Sequence, residues 1–567
     1  MNKQNKLAIA TTLIFLLTCQ WQLGAQSAAG ARSGKIAGTE KQPNILFIIL
    51  DDLNDSVEGF GGHPQAHTPN IDRLAQNGVR FLNTACNAPL CAPSRPSMLT
   101  SLYPHTAGYY SSLNARHLGQ DGLANVWNMP MFQESKTWVQ YFMEHGYEVL
   151  VGGKLYHNTA ERQSDLRDAS GKSIYGPRPS WGPFPTPEFG DDRARHPNVP
   201  YVGPISWFAR LSDVPPDGWS LYRRPFHYVS EEDRDLMPDE LLAEWVEDFL
   251  AERPDSDDDR PFFLNVGINR PHEPFLAPDP FFDLFPLDTV QVAPGIREGD
   301  LEDTSPFLWM DFNRKRKSHA YGFSRYERTL ANDDLKRWTQ AYLACVAYAD
   351  DVIGRMLAAL ENSPYADNTI VVITSDNGYH MGEKEYMHKN TPWERAARVL
   401  MVIAGPGMAA GEETDTPVSL VDIYPTLIDY AGLPENPHPH IELEGHSLRP
   451  LLENPTSGIW TGPKISLTTV DARNRADSRT PMPGFDRPEA QIHSARSREF
   501  RYIICPDGGE ELYDMIRDPH EWTNLADNPE YESVKNDLRA QMEDLVGRRL
   551  GEYYEPVSYT PRPGVPQ

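Results

Sequence analysis

Two acidic pairs in this 567-residue chain are placed to hold a cation. Asp51-Asp52 ends the apolar run Ile45-Leu46-Phe47-Ile48-Ile49-Leu50, and Asp376-Asn377 follows the run Thr369-Ile370-Val371-Val372-Ile373. Brought together, three carboxylates would repel one another without a cation, and with the amide they form a set of hard oxygen donors. Such a set suits Ca2+, with Mg2+ second, rather than zinc, which favours His or Cys. Singly, each pair is ordinary turn chemistry. Two pairs ending two buried-type runs favour the metal. Cys91 is the candidate nucleophile: Pro89 before it, and Pro93 and Pro96 after it, place its thiol at a helix N-terminus. The helix dipole there favours an anion and lowers a thiol pKa. Two further runs end in cationic or imidazole groups. Glu148-Val149-Leu150-Val151 leads into Lys154 and His157, and Pro261 to Val266 leads into Asn269-Arg270-Pro271-His272. Lys389 lies in the loop after Asp376. Lysines are usually surface residues, but positions beyond strand ends argue for a site.

The elements that must position these groups form an α/β pattern. From Pro43 to about residue 435, short apolar runs alternate with helical periodicity, which predicts a large, mostly parallel sheet sandwiched by helices. The runs are continuous rather than alternating, as strands buried on both faces should be. Val399-Leu400-Met401-Val402-Ile403 reads as one more strand. In such sheets ligands bind beyond the carboxyl ends of the strands. Thr68 is placed to cap a helix that Pro69 begins and Asn77-Gly78 ends. Cys345 falls on an apolar helical stripe with Trp338, Tyr342 and Val352, and reads as core. The Pro-rich stretch from about Tyr175 to Arg224 reads as an insertion over one end of the sheet, suited to substrate contacts. After about Pro437 short strands precede one helix near Val534 to Leu550, which predicts a smaller C-terminal domain of antiparallel sheet plus helix. The expected organisation is a signal peptide (1–25), a flexible leader (26–42), a catalytic domain (43–436) and a small C-terminal domain (437–567).

A net charge of −27 excludes general nucleic-acid binding, which needs a basic surface. An anionic substrate therefore requires positive charge gathered locally in a pocket. Lys3 and Lys6 precede the short apolar run Leu7 to Leu17, and small residues follow at Gly24 and Ala25, the pattern of a cleaved export signal. The expected location is periplasmic or extracellular. Lipoprotein anchoring through Cys19 is the rival, but Thr18 fits that pattern poorly. No later stretch is apolar enough to span a membrane. Cys86 and Cys505 are left open as a pair or as free thiols. A single N-x-S/T sequon, Asn54-Asp55-Ser56, sits beside the candidate metal site; this scarcity points to a bacterial source.

Cys91-Ala92-Pro93-Ser94-Arg95 resembles the signature of the sulfatase family, in which the cysteine is oxidised to formylglycine. Asn44 to Asp52, His67 to Leu74, and Glu511-Leu512-Tyr513-Asp514 with Asp518-Pro519 and Asn524-Leu525 are similar to further landmarks of that family. Gly153-Lys154-Leu155-Tyr156-His157 and Arg270-Pro271-His272-Glu273-Pro274-Phe275 look most similar to the iduronate-2-sulfatase branch. Asn377, where the branch has His, and Lys384, where many relatives have His, depart from it.

The resemblance implies a formylglycine gem-diol at position 91 as nucleophile, a sulfated-enzyme intermediate, and Ca2+ held by Asp51, Asp52, Cys91, Asp376 and Asn377. Arg95 would hold the diol, while Lys154, His272 and Lys389 would neutralise the sulfate. His157 would take the proton that expels sulfate, and His272 would protonate the leaving alcohol. The implied partners are a sulfated carbohydrate and a formylglycine-generating machinery. Two alternatives stay open: a phosphoryl or phosphonate ester hydrolase of the same superfamily, and a non-catalytic protein that binds sulfated glycans.

Overall fold

Every residue of the strand Asn44–Asp51 (β1) is buried. Ile45, Phe47 and Ile49 pack into one apolar cluster and Leu46, Ile48 and Leu50 into another. A side-chain period of two with both faces covered gives a continuous apolar run. The structure, a computed structural model, describes residues 41–111, 126–157, 174, 208–213, 219–221, 224–226, 228–308, 320–472 and 487–554. The expected signal peptide, Cys19, nearly all of the leader and most of the Pro-rich stretch lie outside these residues.

Six more strands join β1: Val79–Phe81 (β2), Glu148–Gly153 (β3), Phe262–Pro271 (β4), Thr369–Ser375 (β5), Met401–Ala404 (β6) and Glu412–Thr414 (β7). Their order is β7-β2-β6-β5-β1-β4-β3. The block β3, β4, β1 and β5 is parallel throughout. Helices Pro69–Ala75 (α1), Cys91–Thr100 (α2), Trp138–Glu144 (α3), Pro238–Glu252 (α4), Leu335–Glu361 (α5) and Ile423–Ala431 (α6) cover both faces. Ile71, Leu242 and Val352 bring α1, α4 and α5 onto one face, and Met98, Trp138 and Leu427 bring α2, α3 and α6 onto the other. Cys345 is core in α5.

Two expectations need correction. The run Val399 to Ile403 is not one strand: Arg398–Val399 pairs antiparallel with Thr84–Ala85, while β6 pairs antiparallel with β5. Thr68 does not cap α1, because its Oγ1 accepts from the Glu58 amide at 2.9 Å. The orphan amides of Asn70 and Ile71 instead donate to Asp350 of α5, at 3.0 and 2.8 Å. A carboxylate from a distant helix thus satisfies donors that every helix start leaves open.

The C-terminal sheet is antiparallel, built from Ser466–Val470 (β8), Ile492–Arg496 (β9), Phe500–Ile504 (β10) and Glu510–Asp514 (β11). Leu538, Met542 and Val546 of the helix Glu532–Val546 (α7) pack on Leu467, Tyr502 and Leu512 of that sheet. Buried polar contacts tie it to the segment after β5. Trp393 Nε1 donates to Glu511 at 2.9 Å, and Arg501 pairs with Glu394 and, at 2.9 Å, with Glu521. Arg501 also donates to the Pro392 carbonyl at 3.2 Å.

The four described cysteines are free, so Cys86 and Cys505 do not pair. Asn54 is buried and donates its Nδ2 to the Tyr379 carbonyl at 2.8 Å, an environment closed to a glycan. Among the described residues no helix is long and apolar enough to cross a membrane.

Candidate active site

The carboxyl ends of β3, β4, β1 and β5 lie side by side, and the singled-out residues meet there. In an extended strand Asp51 and Asp52 would point to opposite faces. Asp52 has φ 68°, a left-handed conformation that Asp tolerates better than most residues. That turn brings both carboxylates to one place. Asp52 accepts from Asn377 Nδ2 at 2.8 Å, and its amide donates to Asp376 at 3.2 Å.

Cys91 is the first residue of α2, after an extended Leu90. Ser94, one turn on, fixes the helix by donating its hydroxyl to the Asp376 carbonyl at 2.5 Å. Arg95, fully buried, donates Nε to Asp376 at 2.7 Å and lies 3.6 Å from Asp51. Its Nη1 also donates to the carbonyls of Lys154 and Leu155. Arg95 thereby joins three strand ends to the helix that carries the cysteine.

Lys154 pairs with Asp51 and Lys389 with Asp52. Lys389 Nζ is also 3.6 Å from Cys91 Sγ, and His157 hydrogen-bonds that sulfur. His272 Nε2 is 3.7 Å from Asp52, with Nδ1 2.6 Å from the Glu273 carbonyl. The Nδ1 proton is thereby committed to the backbone, so only a charged His272 has a proton to offer on the side facing Asp52.

Burial alone would raise the Cys91 thiol, but Lys154, Lys389 and His157 outweigh it and hold the group well below the usual thiol range. Burial likewise opposes ionisation of Asp51, and Lys154, His272, Arg95 and Lys389 overcome it. Burial prevails at Asp52, pushed up to about 6 against Lys389. At Asp376 burial, reinforced by Asp51 and Cys91, prevails over Arg95 and pushes the carboxyl up to about 8. Burial pushes His272 down to about 4.

The donor set fits a divalent cation. Asp51 Oδ1, Asp52 Oδ2 and Asn377 Oδ1 are buried and have no hydrogen-bond partner. Ligand atoms of Asp51, Cys91 and Asp376 lie within 4.8 Å of one another, as do those of Asp51, Asp52 and His272. Unsatisfied buried carboxylate oxygens cost free energy that a cation would recover. Three carboxylates face the three basic side chains of Arg95, Lys154 and Lys389 here, so a divalent ion would leave the pocket net positive in a chain of net charge −27. That is the local positive charge an anionic ester requires.

A pH test follows. Asp52 and Asp376 hold protons to higher pH folded than unfolded, so in ion-free protein their contribution to stability falls as pH rises from about 4 to about 8. Asp51, shifted down, acts only below that window. Buried carboxyls elsewhere, such as Asp350 and Asp422, shift upward too, so the informative quantity is a difference. The gain in melting temperature from Ca2+ over chelator should be larger near pH 8 than near pH 5. A gain that shrinks with rising pH would place the cation elsewhere.

The structure brings together every residue that the sequence singled out: Asp51, Asp52, Cys91, Arg95, Lys154, His157, His272, Asp376, Asn377 and Lys389. Other groups of the same loop do different work. Lys384 lies 3.1 Å from Asp300 and donates to the Glu521 carbonyl, turning from the site towards the C-terminal sheet. His380 is buried between the Glu383 carbonyl and Thr391. Sequence reasoning missed Ser94 as an anchor. It also missed the buried Glu273–Arg325–Tyr379 group behind His272, for which the sequence carries no local signal.

Known proteins resemble this chain. The sulfatase family pattern matches residues 43–433. A sulfatase from Formosa agariphila is 32% identical over 504 residues, covering 88% of this chain and 86% of that protein. The iduronate 2-sulfatase of Homo sapiens is 30% identical over 442 residues, covering 71% of this chain and 73% of that one. A phosphonate monoester hydrolase from Silicibacter pomeroyi shares the fold, with a TM-score of 0.63 and 22% identity over 90% of this chain and 96% of that chain. With the family pattern spanning the whole sheet that carries the site, the chain belongs to the sulfatase family and is a sulfuric ester hydrolase.

Proposed function

We propose that the protein removes sulfate from a sulfated carbohydrate, using formylglycine made from Cys91 and a bound Ca2+. The observation that carries the reading is the placement of Cys91. Its sulfur starts a buried helix, within reach of Lys389 and His157, beside the unsatisfied oxygens of two carboxylates, Asp51 and Asp52, and of the Asn377 amide. The ion, held by Asp51, Asp52, Asp376 and Asn377, would supply Lewis-acid polarisation.

The chain's own groups then divide the work. Lys154 and Lys389 neutralise the ester's sulfate, and Arg95 keeps Asp51, Asp376 and α2 in register. One hydroxyl of the hydrated aldehyde would lose its proton to solvent and attack sulfur as the bond from sulfur to the alcohol oxygen breaks, and His272, its charged form favoured once the anionic ester is bound, would give its proton to that oxygen. His157 removes the proton of the second hydroxyl, whose electrons re-form the aldehyde and expel sulfate. The second hydroxyl is what makes release possible. A carbohydrate substrate is favoured by the similarity to an iduronate 2-sulfatase. The amino-terminal residues are proposed to export the chain.

Peptide mass spectrometry across Cys91 tests the nucleophile: protein made beside a formylglycine-generating enzyme should carry a residue about 18 Da lighter than cysteine. That protein should turn over aryl sulfates faster than aryl phosphates or phosphonates. Unmodified cysteine in fully active protein would end the mechanism, and a phosphonate preference would end the substrate class.

A further inference from the structure

Asn269 is a buried amide that no described residue satisfies. It is 2% exposed, and neither its Oδ1 nor its Nδ2 has a hydrogen-bond partner. Buried side-chain amides nearly always find partners, and an orphaned one costs free energy. A ligand that exchanges hydrogen bonds with the amide would satisfy such a group.

Its place on β4 says where it points. Ile268 packs in the cluster of α4 and α5, and Arg270 lies beside Asp239 of α4. The amides of Asn269 and Arg270 both donate to Asp239, at 3.0 and 3.2 Å. β4 bulges against β1 at this point, since Ile49 pairs with Gly267 and Asp51 with Pro271. With both of its neighbours turned to that layer, Asn269 is left the other side of the strand. At the start of the bulge a Cβ on Gly267 would meet the backbone of Lys154 at 2.1 Å, and beyond it the Asn269 carbonyl accepts from the His272 amide at 2.9 Å. Asn269 therefore lies between the segment that carries Lys154 and His272.

Resting on the sulfatase reading, we infer that Asn269 is a further substrate-positioning residue, its Nδ2 donating to a non-bridging oxygen of the bound sulfate ester. The site's cations attract the anion without direction, whereas a fixed amide dictates which way its oxygens face. That orientation places the ester's bridging oxygen on the His272 side.

The test uses ion-loaded, formylglycine-bearing full-length protein. Asn269→Leu keeps the branched shape and removes the polar atoms. Its kcat/KM for 4-nitrophenyl sulfate should fall about 10²-fold, as on losing one preorganised donor. Inhibition by inorganic sulfate should weaken about tenfold, a readout independent of turnover. The melting temperature should hold or rise, because an orphaned buried amide has been removed; a merely structural residue would not lose sulfate affinity while gaining stability. Asn269→Asp, which repels the anion, should fall further than Asn269→Leu. Asn269→Ser keeps a donor, so it should retain more sulfate affinity than Asn269→Leu and serves if the latter fails to fold. Unchanged sulfate inhibition in the folded variants, or loss of bound ion in step with activity, would overturn the assignment. Failure of the sulfatase reading looks different, since native protein would then show no aryl sulfate turnover that Cys91→Ala abolishes.

Discussion

Cys91→Ala lowers sulfate-ester turnover by about 10⁴-fold or more, as losses of covalent nucleophiles do, while the protein stays folded and keeps its ion. The size of the loss follows from the chemistry at the site. With no hydroxyl on sulfur's approach side, water must attack a sulfate that Lys154 and Lys389 hold but do not activate. The fold is spared because the residue is small and starts a helix rather than filling a layer. Removing one buried sulfur costs about 1–2 kcal/mol by cavity reasoning. The oxygens of Asp51, Asp52, Asp376 and Asn377 still converge, so ion binding persists. Equilibrium Ca2+ titration beside a turnover assay separates the two effects. A variant that kept its turnover would show that position 91 is not the nucleophile. One that lost activity and ion together would make the cysteine structural.

Arg95→Ala should be the most damaging single change to stability within the site. Its guanidinium is fully buried between Asp376 and Asp51 and also satisfies two backbone carbonyls. Removing one partner of a buried pair leaves the other charges uncompensated, at a cost of about 3–5 kcal/mol. Urea unfolding in chelator should show that full loss, and saturating Ca2+ should recover part of it by taking over the orphaned charge. Arg95→Lys should not restore activity, since one ammonium cannot span a carboxylate and two carbonyls as a planar guanidinium does. Equal destabilisation with and without Ca2+ would separate Arg95 from the ion site.

Much of this was legible in the sequence because the signals are local. A strand buried on both faces writes itself as an unbroken apolar run, and Asp51 and Asp376 stand out as charges where such runs stop. What depends on distant partners was not legible. The run at Val399 carries the same letters whichever way its neighbour points, so the antiparallel pairing of β6 with β5 could not be read from it. Thr68 has the composition of a cap, yet Asp350, 280 residues from Asn70, does the capping. β9, Ile-His-Ser-Ala-Arg, mixes polar and apolar residues because its polar groups are satisfied inside the protein. His493 meets the Pro488 carbonyl, and Ser494 accepts from Arg501. Asn269 is silent for the opposite reason, since an asparagine near a strand end looks like turn chemistry whatever its side chain lacks.

The contacts of Trp393 and Glu394 with Glu511 and Arg501 bear on how such enzymes can diversify. The loop bearing Lys389 is braced from behind by residues that lie more than a hundred positions later in the chain. Swapping tails between paralogues would thus unseat the Lys389 ammonium unless the bracing residues travelled with their counterparts. Lineages are freer to vary the rims of the cleft than its rear wall.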